Sequence, residues 1–200
     1  MNTTNIDKQN SHLDLKNKDV QKVLALYEDY AEAPYISPKR DLAEWLSSVS
    51  IGSGSTVPKR NMLRLEEDIL PGYLILLWRI NFGTFTNTSV FPKYFEYDYG
   101  INAKQALDEV QQKGYAKELS ATDSLTHLNA AQLKAIFKQL ELTGYSKLNK
   151  TELMELAKEQ LTEEQLAPHF KVRGYQLTPA GKELLEKYSE VIDRHPKKKY

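Results

Sequence analysis

Apolar residues recur at helical spacing in most of this chain and alternate in only two short places. Val20, Val23, Leu24 and Tyr27 form one stripe, extended by Tyr30 and ended at Ala33-Pro34, with Asp19 as the expected cap. A second stripe runs Leu42, Trp45, Leu46, Val49, with Ser37-Pro38 read as its start because proline suits the first helical position. Residues 62–82 carry Leu63, Ile69, Leu70, Leu74, Leu77 and Trp78 and read as a helix that Pro71-Gly72 kinks or splits. Ala106, Leu107 and Val110 give a further face, opened by Asn102 with Gln105 and closed at Gly114. Two amphipathic helices follow. Leu133, Ile136, Phe137 and Leu140 face inward on the first; Leu153, Leu156 and Ala157, with Met154 alongside, do so on the second. Leu184, Leu185 and Tyr188 mark the last helix. The alternating runs are Tyr115–Leu119 and Gly174–Leu177.

The polar positions supply starts and stops. Asn129 with Gln132, Asn149 with Glu152, and Thr162 with Gln165 each have capping-box spacing, in which the two side chains satisfy each other's backbone N–H. Gly144 is the expected left-handed cap of the helix before it. The stretch from Leu125 to Leu161 is therefore two short helices joined by a small loop, each too short to be stable without a shared core.

That stretch resembles the SAP domain and its helix–extension–helix and Rho N-terminal relatives. The residues that carry the match are Leu128, the Leu133-Lys134 pair, Leu140 with Leu142, Gly144, and Lys150-Thr-Glu-Leu153. Tyr-Ser-Lys-Leu-Asn separates Gly144 from Lys150, a longer loop than the tight SAP form and closer to the Rho-type variant. The resemblance covers about a fifth of the chain. It implies a nucleic-acid-binding module, with some relatives binding proteins instead, and a bacterial or phage source.

A second, shorter resemblance flanks it. INAKQALDEVQQKGYAKEL is similar to the third helix and following strand of a winged-helix domain. YQLTPAGKELLEKY is similar to the strand and helix after its wing, through Tyr175, Leu177, Thr178 and Gly181. Thr178 then caps and Pro179 takes the first helical position. Two readings of the alternating runs stay open. In one they pair as an antiparallel hairpin around the inserted module, since closing a longer loop costs entropy only slowly. In the other they are unrelated local strands. The fold expected is mainly α with a small β-hairpin: a helical N-terminal region and a winged-helix-like domain carrying an inserted SAP-like two-helix module. The boundaries drawn are a disordered lead-in at 1–18, N-terminal helices and linker at 19–60, the winged-helix-like part at 61–124 and 170–200, and the SAP-like module at 125–169.

Composition changes this picture little. Twenty-seven basic and 27 acidic residues cancel, which excludes a chain basic all over but not a local phosphate-binding face. From Lys171 onward, eight basic residues face four acidic ones, the clearest asymmetry in the chain. There is no cysteine, so no disulfide, thiol nucleophile or Cys-based zinc site is available. The polar N-terminus lacks the apolar core of a signal peptide, and Tyr73–Trp78 is too short to span a bilayer, so the expected location is cytoplasmic and the expected membrane contact none.

No catalytic constellation stands out. His12, His127, His169 and His195 are scattered without metal-ligand spacing. The Gly-Ser run at 52–56 lacks the ending of a nucleotide loop and reads as a linker. Glu66-Glu67-Asp68 suits the first turn of a helix better than a cation site. The aromatic segment 82–99, with Lys93, reads as core around a turn, with base stacking the rarer use.

The function expected is non-catalytic nucleic-acid binding, DNA favoured, without cofactor. The candidate contacts are Lys147 and Lys150 at the start of the second module helix, Lys134 and Lys138 one turn apart on the first, and Arg173, Lys182, Lys197, Lys198 and Lys199 from the wing-like part and tail. The alternative, from a different class, is a protein-interaction module using the helix–extension–helix and aromatic surface.

Overall fold

The computed structural model describes residues 9–196. The first eight residues of the lead-in and the lysines at 197–199 therefore lie outside the described residues. Along the chain come α1 (Lys18–Leu26), α2 (Leu42–Ser50), α3 (Pro71–Asn81), α4 (Tyr94–Tyr97), α5 (Ala103–Gln112) and β1 (Ala116–Glu118). Then follow α6 (Ala130–Gln139), α7 (Lys150–Gln160), α8 (Glu163–Leu166), β2 (Tyr175–Leu177), α9 (Pro179–Lys187) and α10 (Ser189–Asp193). The described residues are thus mainly helical, with one small two-stranded antiparallel sheet. Among them, no helix is long and apolar enough to cross a membrane. Two compact units divide the chain.

The first unit comprises Met1–Trp78, Phe91–Lys113 and Glu183–Tyr200. It holds most of α3, where Tyr73 to Leu77 are all 3% exposed or less, as befits a helix apolar all the way round. It begins at Pro71, which has no N–H to leave unsatisfied. The residues before it are not helical: Asp68 is left-handed at φ 57°, and Leu65 N–H donates to Ile69 O at 2.9 Å. The helix expected over 62–82 is therefore only its second half. Glu66 and Glu67 do not open a helix either. Their carboxylates both take Lys187 Nζ at 2.7 Å, and Glu67 also accepts the Tyr188 hydroxyl at 2.8 Å.

Two N-terminal expectations shift for identifiable reasons. α1 is capped by Asn17, with Asp19 placed in its first turn instead. α2 starts at Leu42 under an Asp41 cap, not at Pro38. The 37–40 turn is held outside that helix by Glu96, whose carboxylate accepts Ser37 N–H at 2.9 Å and meets Arg40 at 3.4 Å. The Arg40 guanidinium lies between the rings of Trp45 and Tyr97, 4.5 and 4.1 Å from their centroids. Part of the polar lead-in is also engaged. Gln9 and Asn10 are buried, and both side-chain amides bond to backbone far along the chain.

The second unit comprises Arg79–Val90 and Gly114–Lys182. Its ribbon pairs the two alternating runs antiparallel, with Ala116 opposite Leu177, Lys117 opposite Gln176 and Glu118 opposite Tyr175. Of the two readings left open by the sequence, pairing is the one adopted. A third lane joins through the isolated bridge Thr86–Gly174. Asn87 extends that lane: its backbone N–H donates to Arg173 O, its side-chain oxygen accepts Arg173 N–H, and its amide donates to Lys171 O. Thr178 caps α9, accepting Gly181 N–H while its hydroxyl donates to Gly114 O at 2.6 Å.

Between β1 and β2 lies a separate apolar cluster built on Leu125, Leu133, Phe137, Leu153, Ala157 and Leu166, each 0% exposed. All three capping boxes read from the sequence are formed, on α6, α7 and α8. The end of α6 differs. Leu142 N–H reaches Phe137 O at 3.0 Å and Glu141 N–H reaches Lys138 O at 3.2 Å, a Schellman closure in which Glu141, at φ 56°, takes the left-handed position. Gly144 is left-handed as well, at φ 80°, but three residues later, inside the loop.

Candidate nucleic-acid interface

The candidate surface is built on α6, α7 and the loop between them. Tyr145 packs edge-on against Phe137, with ring centroids 5.4 Å apart, and Leu148 N–H donates to Tyr145 O at 3.1 Å. These contacts shape the loop that carries exposed Lys147 into the Asn149 cap of α7. Lys134, on α6, sends its Nζ to Ser146 O at 2.7 Å, onto the peptide that leads into Lys147. Lys150, exposed, is the first residue of α7 and sends its Nζ back to Thr126 O at 2.6 Å. Lys134, Lys147 and Lys150 are thus brought to the start of α7. Lys138, exposed, continues the line one turn along α6.

A cation at the first position of a helix opposes the helix dipole, which favours negative charge there. Lys150 therefore occupies a place that local helix energetics disfavour, and each lysine tied to a single carbonyl keeps N–H donors for another acceptor. Glu152 tempers the field, but its carboxylate is bonded to Asn149 N–H in the capping box. Burial and then the nearby Lys150 ammonium push the His127 imidazole below the usual range, so it favours the neutral form more than a free histidine does.

The other candidates are placed differently. Arg173 is half-buried and donates to the carbonyls of Phe170, Val172 and Ala167 at 2.8, 2.9 and 3.2 Å, with its guanidinium 4.8 Å from the Phe170 ring centroid. Three of its five N–H donors hold the chain where it leaves the module. Lys182 is exposed on α9, and the structure does not bring it to the start of α7 through any bond. Lys197, Lys198 and Lys199 are outside the described residues. In the aromatic segment, Phe85, Phe95 and Tyr99 are 3, 2 and 6% exposed, so these rings serve the interior. Among the described residues, no group of three or more His, Asp or Glu is placed to hold a metal ion.

Sequence reasoning passed over Glu163, which holds the module's framework. Its carboxylate accepts Ala121 N–H at 2.7 Å, Thr122 N–H at 2.8 Å and the Thr122 hydroxyl at 2.8 Å. Burial works against its ionisation, but the Thr122 and Ala121 bonds and the Arg173 charge outweigh this and hold its carboxyl below the ordinary range. A depressed carboxyl contributes stability above its unfolded-state pKa and loses it as pH falls through the folded one. Glu163→Gln is expected to cost about 1–3 kcal/mol at neutral pH. That difference should close once the pH is below the carboxylate range. Urea unfolding of both proteins at neutral and strongly acidic pH checks this; a gap that persists in acid would count against it.

No protein-family model, curated protein or solved structure matches this chain at significance. The functional reading accordingly rests on the residues and their geometry.

Proposed function

We propose that this protein is a non-catalytic nucleic-acid-binding protein that engages double-stranded DNA through phosphate contacts at the α6–α7 module, with weak sequence selectivity. The observation that carries the reading is that exposed Lys147 and Lys150 flank the Asn149 cap of α7 while Lys134 Nζ reaches Ser146 O in the loop just before it. There the first-turn N–H groups and the helix dipole also attract an anion. The helix–loop–helix with Leu128, Leu133 and Leu153 buried supports reading the module as SAP-like. The antiparallel pairing of β1 with β2 on either side of the module, with α9 following, supports reading the module as standing in the place of a wing turn. The protein-interaction alternative would use the rings of the aromatic segment that are not buried, Phe82 at 60% exposed and the half-buried Phe91, Tyr94 and Tyr97, since Phe85, Phe95 and Tyr99 are turned to the interior.

Fluorescence anisotropy with a labelled duplex, titrated at several salt concentrations, tests this. Wild type is expected to bind more weakly as salt rises. Lys147→Ala/Lys150→Ala is expected to bind roughly tenfold more weakly at low salt, with the slope of log affinity against log salt reduced by about one to two counterions. Absence of wild-type binding to duplex or single strand at low salt would overturn the proposal.

A further inference from the structure

The module between β1 and β2 has a core that is entirely its own. Every buried residue of its apolar cluster, and every partly buried residue packed on it, lies between Ala121 and Phe170. The chain enters and leaves it at neighbouring positions of one ladder. Thr178 N–H bonds Tyr115 O at 3.1 Å and Leu119 N–H bonds Gly174 O at 2.9 Å, so Leu119 and Gly174 continue the register set by Ala116–Leu177. The return bond of that last pair, Gly174 N–H to Leu119 O, is replaced. Gly174 N–H instead donates to the hydroxyl of Ser124, which is 0% exposed. The module thus completes the ladder pair it interrupts, and two residues would suffice to join Leu119 to Gly174 as a tight hairpin.

We infer that residues 120–173 form a self-contained cassette, which opens and closes as a cooperative unit separate from the rest of the chain. The cassette also carries the phosphate contacts, a part of the inference that rests on the function proposed above. A stretch with a private core, whose ends meet at one ladder rung and whose bonds to the Asn87 lane run from Lys171 and Arg173 at its exit, can lose its packing without disturbing the pairing beneath it.

Two experiments test this in the full chain. In the first, Phe137→Ala empties the centre of the cassette core, and native-state amide exchange is followed by residue. The expected result is protection in α6 and α7 falling by roughly a hundredfold or more, with α3 and α5 unchanged. Equal loss in α3 and α5 would overturn the separate unit. In the second, Asn-Gly replaces residues 120–173. The expected product melts in one cooperative transition and no longer shifts the anisotropy of the DNA duplex. A folded hairpin variant that binds like wild type would overturn the cassette as the binding part while leaving its independence standing. A variant that fails to fold, together with exchange loss throughout Phe137→Ala, would overturn the independence itself. Wild type failing to bind DNA would remove only the binding clause, because the exchange result does not depend on it.

Discussion

Gly181→Ala is expected to be the most damaging single-methyl change in the second unit, at about 3 kcal/mol or more. Gly181 lies in the first turns of α9, directly against the carbonyl of Tyr115, and an added Cβ would overlap that oxygen. The obstacle is backbone, so no side chain can rotate away. Moving the oxygen would disturb the bond it accepts from Thr178 N–H, where the ribbon begins. Helix propensity alone predicts the opposite sign, since alanine is the better helix former by roughly 1 kcal/mol. The two arguments are separated by urea unfolding of Gly181→Ala beside a solvent-facing alanine control on the same helix. A neutral or stabilising effect would mean that α9 does not approach β1 as closely as described.

Asn10→Ala is expected to destabilise the first unit by about 2–4 kcal/mol. Asn10 is 1% exposed, and its side-chain amide acts as a missing strand partner. It donates to Pro34 O at 2.8 Å and accepts Ile36 N–H at 2.9 Å. Gln9 does the same beside it, donating to Gly100 O and accepting Asn102 N–H, both at 3.2 Å. Alanine at position 10 leaves a buried donor and a buried acceptor unpaired at once, and the cost of stranding such groups exceeds the net worth of the bonds. Thermal and urea midpoints of Asn10→Ala against Ser11→Ala, an exposed neighbour, measure the effect. A change within about 0.5 kcal/mol, as is usual for surface positions, would show that the lead-in is not part of the fold.

These two positions illustrate different degrees of legibility. Gly181 was already singled out in the sequence through its spacing from Thr178, although the reason for it, a backbone carbonyl packed against the helix, was not visible there. Asn10 sits in a polar run with no periodicity, and nothing local distinguishes it from Asn2 or Asn5. The α6 terminus lies between these cases. Glycine is the default left-handed residue, which pointed to Gly144. The helix ends instead where its apolar face ends, and Leu142 packs on the same core as Phe137, so Glu141 takes the strained position. The candidate site shows the same division. The two helices and their caps were readable, and so was the placement of Lys147 and Lys150. The commitment of Arg173 to three carbonyls was not, because those partners are identified only once the chain has turned at Phe170.

The sequence by itself determined what depends on neighbours a few residues apart. That includes the apolar faces of the helices, the capping boxes at Asn129, Asn149 and Thr162, and the two alternating runs that became β1 and β2. The energies involved are local, and the residue types that satisfy them are few. Tertiary structure alone decided which polar side chains are consumed as backbone partners, as with Gln9, Asn10, Asn87 and Arg173. It also decided where α2 and α3 begin, and that the module core closes on itself. Most of those outcomes turn on donors and acceptors brought together from distant positions, and for Gln9 and Asn10 burial makes the pairing obligatory without leaving a periodic trace in the chain.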